Sequence, residues 1–308
     1  MGNMKRFARL LLISAALSQK LSAQKITLLR DSLMNERMKS GYATKHFRPE
    51  GPNDANGQRA GFWKDYEVIE EGSYQEVDGE PMKTVGMYLL YGEGRFEGGK
   101  RVGDWIIYVI EDKTDKKILS QKLSYVDGKA EGPFTYFYPN GDKAQEGHYK
   151  NGVMEGPVTV YYTGGKIFGE QYYVSGNRHG QQDYFYRSGK PSFSVTYEHG
   201  VRNGKFVQWY ENGNSKESFT YNQDSLDGVY RYYYAAGTLW TEKLYDKGKL
   251  LNVVAIYDKN GKELEKGNLK DGNGLVYYYD EEGNVYEKIT YKGGVQVKTE
   301  TLRSAKFR

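Results

Sequence analysis

At 308 residues, with 44 Lys and Arg against 40 Asp and Glu, the chain has a formal charge of +4. It holds 38 Gly and 30 Tyr but no Cys, which excludes disulfides, thiolate metal sites and a cysteine-linked lipid anchor. Four basic residues, Lys5, Arg6, Arg9 and Lys20, fall in the first 23 positions, where no acid occurs; the remainder balances at 40 against 40, and a general nucleic-acid-binding role loses its electrostatic basis.

Residues 1–23 read as a signal peptide. Lys5, Arg6 and Arg9 form a basic start, Leu10 to Leu17 an apolar run, and Leu21-Ser22-Ala23 a small-residue cleavage site before Gln24. The run is shorter than the ~20 residues that span a bilayer, so no transmembrane anchor is expected. The protein is expected to be exported, to the periplasm, the cell surface or beyond. Residues 24–60 are expected to form a short N-terminal helix that caps the chain, followed by a linker. Ile26, Leu29, Leu33 and Met34 give the apolar stripe, Asp31 and Glu36 the polar side, and Pro49 to Gly61 the linker.

Residues 61–298 form a repeat array of about eight to nine units. The early copies are degenerate: Gly61-Phe62-Trp63 with Tyr66, then Gly103-Asp104-Trp105 with Tyr108, and the Asp112 to Lys117 charge cluster lengthens one loop. From Gly132 the period is 24 residues, with copies opening at Gly132, Gly156, Gly180, Gly204, Gly228, Asn252 and Gly274, the sixth copy being two residues short. Stacked supersecondary units of this length cannot bury their apolar surface singly.

Numbered from the opening residue as zero, positions +1 to +6 are aromatic and β-branched, as strands require. Glycine recurs at +9 (Gly141, Gly165, Gly189, Gly213, Gly237, Gly261, Gly283), preceded by Asn140, Asn212 and Asn260 in three copies. Asn-Gly predicts a two-residue hairpin turn centred on +8 and +9, both with positive φ. A return strand over +11 to +17 ends on Tyr149, Tyr173, Tyr197, Tyr221, Tyr245 and Tyr291. Such a turn sets +6 opposite +11, +4 opposite +13 and +2 opposite +15, and opposed residues share a face. One face is then apolar, with Phe134, Tyr136, Tyr138, Tyr149, Phe193, Val195, Phe219, Tyr221, Tyr230, Tyr232, Leu239, Val285 and Ile289. The other is polar, with Thr135, Asp183, Arg231, Glu146, Glu170 and Glu242. An aromatic stripe at +5 crosses the polar face: Phe137, Tyr161, Phe185, Trp209, Tyr233, Tyr257 and Tyr279. Its first reading is cross-strand packing, such as Tyr233 with Trp240; its second is a binding platform. Residues 299–308 form a basic C-terminal tail.

The fold class is therefore all-β, an elongated single-layer antiparallel meander of repeated β-hairpins. The order of opening Gly, aromatic strand, turn Gly, return strand with Tyr and closing Gly resembles the MORN repeat variant of bacterial proteins, the group labelled YwqK-family antitoxins. The resemblance covers roughly residues 61–298. It implies consecutive antiparallel hairpins and a role in protein scaffolding or membrane-proximal assembly, and it transfers no site residues.

No catalytic constellation is evident. His46, His148, His179 and His199 occupy unrelated offsets, and Glu146, Glu170 and Glu242 would sit ~9–10 Å apart by strand spacing. The expectation is a non-enzymatic interaction scaffold of the cell envelope without metal or cofactor. Its partner is expected to be another envelope protein. Alternatives are cell-wall or surface-glycan binding through the stripe and an antitoxin or immunity role. Homo-association through unpaired sheet edges is a further expectation.

Overall fold

A computed structural model describes residues 49–77, 80–110 and 116–302, and the side chains of 66–80 and 82–89 are left aside. The signal peptide and the N-terminal helix expected at residues 24–48 lie outside the described residues, as do 111–115 of the long loop and 303–308 of the tail. Every regular element described is a strand, and no helix among the described residues is long and apolar enough to cross a membrane.

The chain divides into two compact units, the described residues of Met1–Ser73 with Lys83–Ser120 and of Tyr74–Met82 with Gln121–Arg308. The first contains most of β1 (Gly61–Val77) and β2 (Glu80–Glu97), all of β3 (Lys100–Ile110) and the start of β4 (Lys117–Val126). β2 and β3 pair antiparallel across a turn at Gly98-Gly99. At 17 and 18 residues, β1 and β2 outrun the strands of the regular repeat. Trp63, Phe96 and Trp105 meet edge to face at 6.0 and 5.2 Å, all buried. A Cβ on Gly94 would lie 2.3 Å from the Trp105 ring, so glycine is what lets that indole lie flat on β2. The stretch read as a linker is structured. Glu50 bridges Lys64, Asn53 bridges Arg59, and the Trp63 Nε1–H donates to the Pro52 carbonyl at 2.8 Å.

The second unit carries the strict repeats. Its strands are β5 (Lys129–Phe137), β6 (Lys143–Lys150), β7 (Val153–Met154), β8 (Gly156–Tyr161), β9 (Ile167–Val174), β10 (Asn177–Arg178), β11 (Gly180–Phe185) and β12 (Pro191–Glu198). The meander continues through β13 (Val201–Trp209), β14 (Ser215–Asn222), β15 (Ser225–Tyr233), β16 (Leu239–Asp246) and β17 (Lys249–Ile256). A separate three-stranded sheet follows: β18 (Gly274–Tyr279), β19 (Val285–Lys292) and β20 (Val295–Thr301). β20 therefore takes paired structure three residues into the segment read as tail. Neighbouring strands pair antiparallel, for example Gly132 with Tyr149 and Gly228 with Tyr245.

The turns differ from the expectation. Tyr138 N–H donates to the Asp142 carbonyl at 2.9 Å and Gly141 N–H to the Tyr138 carbonyl at 2.9 Å. The same two bonds recur at Tyr162, Tyr186, Tyr210, Tyr234, Asp258 and Asp280. Positions +7 to +9 thus form a three-residue connection in which the glycine at +9 has positive φ and the preceding Asn does not, the geometry of a hairpin closed by a glycine bulge. The two-residue turn with both φ positive lies instead between repeats, at Asn151-Gly152, Ser175-Gly176, His199-Gly200 and Lys247-Gly248. Asn140 uses its side chain rather than left-handed backbone: its Oδ1 accepts the Asp142 N–H at 3.0 Å.

This longer turn shifts the ladder by one residue near the tip. Position +2 faces +15 and +4 faces +13 as expected, but +5, not +6, faces +11: Phe137 pairs with Lys143, Tyr161 with Ile167 and Tyr233 with Leu239. Leu239 consequently pairs with the +5 stripe at Tyr233, while Val285 pairs with Tyr279 and still packs against the apolar cluster. The bulge residue at +12 packs beside the +6 ring instead. Trp240 accordingly stacks on Tyr234 at 4.5 Å and 3°, not on Tyr233.

The rest of the apolar face is as expected. Phe134, Tyr136, Tyr138, Val195, Phe219 and Ile289 are buried. In the copy that is two residues short, the return strand is reduced to isolated bridges, Tyr257 with Glu263 and Gly267 with Val276. Its apolar residues join a cluster of Leu250, Val253, Ile256, Leu269, Val276 and Tyr279.

Candidate functional site

The +5 stripe sits on a backbone held in register by its neighbours. The Tyr138 hydroxyl donates to the Tyr161 carbonyl at 2.6 Å, Tyr162 to Phe185 at 2.8 Å, Tyr186 to Trp209 at 2.6 Å, Tyr210 to Tyr233 at 2.7 Å and Tyr234 to Tyr257 at 3.0 Å. Each +6 tyrosine thus ties its hairpin to the peptide group of the stripe residue in the next. A net contribution of about 1 kcal/mol per bond is typical.

A second series works at the opposite end of each hairpin. Glu131 accepts the Asn151 N–H at 2.7 Å, Glu155 the Ser175 N–H at 2.7 Å, Asp227 the Lys247 N–H at 3.2 Å and Asn273 the Gly293 N–H at 3.0 Å. The acceptor precedes the opening glycine. Its partner is the first residue of the inter-repeat turn, whose N–H points out of the ladder and needs an acceptor.

On this frame Phe137, Tyr161, Phe185, Trp209, Tyr233 and Tyr257 are half-buried, leaving part of each ring open. Tyr279 is different: it is 9% exposed, belongs to the apolar cluster and donates to the Glu265 carbonyl at 2.6 Å. The stripe therefore holds six side chains of one type of environment and a seventh that serves the core. Two of the six are engaged. Lys122 Nζ lies 5.6 Å from the Phe137 ring centroid, and the Tyr161 hydroxyl donates to Glu146. Lys143 Nζ also donates to Glu146, at 2.7 Å, and these two bonds hold the carboxyl below its usual range. Burial and then Glu146 push the Tyr161 phenol up to about 12. Around the stripe, Ile167, Tyr172 and Val229 are large apolar side chains left at least 38% exposed.

The apolar face holds polar residues that sequence reasoning missed. On β9 and β11 two glutamines are neutral and satisfied, beside the Arg178 guanidinium, whose Nε–H donates to the Tyr173 hydroxyl at 3.3 Å. Gln171 Nε2 donates to the Tyr184 hydroxyl at 3.1 Å and its Oε1 accepts from Tyr173 at 2.9 Å, while fully buried Gln182 bonds to Tyr172 and His179 backbone. On β14 and β16 the polar residues are ionisable. Burial among Tyr210, Tyr221, Tyr230, Tyr232 and Tyr245 pushes the Glu217 carboxyl up to about 7. Burial alone lowers the Lys243 amine to about 8, and its Nζ stands 4.6 Å over the Tyr278 ring. The signal was present in the sequence, because Glu217 occupies +13 and Lys243 +15, where the neighbouring copies place Phe193 and Phe219. The histidines, which the sequence leaves apart, are partly reunited: the His179 and His199 rings lie 5.1 Å apart.

Among the described residues no group of three His, Asp or Glu side chains converges as metal ligands. The geometry offers a regularly spaced aromatic surface.

Five segments of the chain match the MORN repeat variant. They are residues 130–151, 154–175, 202–223, 226–247 and 273–292. No curated protein matches the chain. Each matched segment spans one hairpin, with both of its long strands and the tip turn between them. Repeats of this kind are generally found in scaffolds that bind proteins or membranes. The hairpin of β11 and β12, which falls between matched segments, folds in the same register as the MORN-variant hairpins on either side.

Proposed function

We propose that the chain is a non-enzymatic, exported scaffold whose repeat array presents its +5 face to another protein of the cell envelope. The observation that carries this reading is the run of five tyrosine-to-carbonyl bonds, which fixes the stripe backbone from Tyr161 to Tyr257 in one register. A surface preorganised in this way loses little conformational freedom on binding. Half-buried Trp and Tyr flanked by exposed aliphatic groups are the side chains that dominate protein interfaces. The balanced charge outside residues 1–23 suits association with a protein more than with a polyanion. The same reading makes the chain a bacterial, YwqK-type member of the repeat group and needs neither metal nor cofactor for its scaffold role.

The test is affinity capture from native envelope extract with residues 24–308, in parallel with a Trp209→Ala/Tyr233→Ala variant. The expected result is one protein at stoichiometric yield that the variant loses. A second reading, glycan binding, is favoured by the ring faces that the six stripe residues keep open at repeat spacing. Co-sedimentation with purified cell wall, with no protein captured, would replace the first reading by the second.

A further inference from the structure

The stitching bond joins four copies; the residues at its acceptor position in the other three are His179, Asn203 and Leu251, and the first of these brings two imidazoles together. The residue preceding the opening glycine is Glu131, Glu155, Asp227 or Asn273 in four copies, and its side-chain oxygen accepts the N–H of the turn residue 20 positions on. In the copy opening at Gly180 that position is His179, and the turn residue is His199, with φ of 48°. The oxygen acceptor is replaced by a nitrogen heterocycle, and the turn side chain is another. Their ring centroids are 5.1 Å apart with planes inclined at 54°. His179 Nδ1 is buried and has no hydrogen-bond partner, the sole such side-chain atom among the described residues. This repeat is also the one that the matched segments 154–175 and 202–223 leave out.

We propose that His179 and His199 form a two-imidazole site for a borderline divalent transition metal ion of the zinc, nickel and copper group. Imidazole nitrogen is the donor these ions favour. With N–metal bonds of about 2.0–2.1 Å and a centroid about 1.2 Å behind each nitrogen, two imidazoles at a tetrahedral angle place their centroids about 5 Å apart. The observed centroid separation of 5.1 Å matches that distance. A metal ion supplies the orphaned Nδ1 with the partner that a buried nitrogen needs. His199 is exposed, so the remaining coordination positions face water or a donor from a bound partner. The repeat frame itself sets the pair in place: Gly200 N–H donates to the Arg178 carbonyl at 2.8 Å, pinning the turn beside residue 179.

The experiment is calorimetric titration of the untagged chain with zinc chloride, repeated on His179→Asn and His199→Gln. Both replacements occupy equivalent positions elsewhere, as Asn203 before the opening glycine and as Gln223 at a φ of 48°, so both chains should fold, which circular dichroism checks. The expected result is saturable binding of one ion per chain, weakened by about tenfold or more in each variant. Absence of saturable heat overturns the site. Binding that neither variant weakens also overturns it and identifies an adventitious ion only.

Discussion

The glutamines of β9 and β11 and the ionisable residues of β14 and β16 stand on one backbone plan and on the same apolar face, but they meet burial in opposite ways. Gln171 and Gln182 are neutral and fully bonded, so they act as buried cross-links between strands. Glu217 and Lys243 are half-buried and ionisable, held among tyrosines that raise the cost of either charge. The Lys243 hairpin is anchored at both ends, by the Tyr234 hydroxyl bond to the Tyr257 carbonyl and the Lys247 N–H bond to Asp227, and the Glu217 hairpin at its tip by the Tyr210 hydroxyl bond to the Tyr233 carbonyl, so each charge is held in a fixed frame. Glu217 gives a pH response opposite in sign to that of Glu146, whose carboxyl is held below its usual range.

The largest effect should come from breaking the neutral side. Gln182→Leu removes the acceptor of the Tyr172 N–H and the donors to the His179 and Gly180 carbonyls, and should cost about 3 kcal/mol in urea unfolding, at the upper end for unsatisfied buried groups. An unchanged midpoint would show that those groups find water instead.

The charged side should respond with the opposite sign. The Glu217 carboxyl titrates higher in the folded chain than in the unfolded one, so the folded state holds the extra proton between pH about 4.5 and about 7 and stability falls as pH rises through that window. Glu217→Gln should therefore stabilise by about 2 kcal/mol at pH 8, a figure reduced for partial exposure, and change nothing at pH 4. Lys243 titrates lower when folded. Its cost is complete below pH about 8 and fades as pH approaches the unfolded value of about 10.4, so Lys243→Met should stabilise at pH 7 and become neutral near pH 11. Flat differences across these ranges in parallel unfolding series would mean that both groups are solvated.

Smaller changes test the stitching that the two halves share. Tyr234→Phe keeps the stack on Trp240 and removes the bond to the Tyr257 carbonyl, and should cost about 1 kcal/mol. His179→Glu installs the acceptor found at Glu131 and Glu155 and should stabilise by roughly 0.5–1 kcal/mol in thermal unfolding.

Much of this plan could be read directly. The 24-residue period, the glycine at +9 and the alternation of apolar and polar positions place the strands, the turns and most of the apolar face correctly, because each is a local preference repeated many times. The turn type was not legible. Asn-Gly suits a two-residue turn and a glycine-bulge turn alike, and the choice rests on how many residues the flanking strands release, which moved Leu239, Val285 and Trp240 from their expected neighbours. The tyrosine series at +6 was visible as a column of Tyr138, Tyr162, Tyr186, Tyr210 and Tyr234, yet its hydroxyl partners lie in the next hairpin and appear only when the strands are stacked. His179 and His199 occupy different offsets and looked unrelated. They meet because the last residue of one repeat packs against the turn of the next, as Glu131 does with Asn151. Tyr279 left the stripe for a similar nonlocal reason, since the shortened copy before it draws its ring into the core.

Five hydroxyl-to-carbonyl bonds at one end of the hairpins and four side-chain-oxygen-to-turn-amide bonds at the other link the same two ranks of an ordered column. A duplicated unit that carries both groups would find complementary groups at its borders. The gene can therefore lengthen or shorten the array by whole units without redesigning any interior contact, and the span of surface on offer becomes a quantity that recombination can adjust in steps.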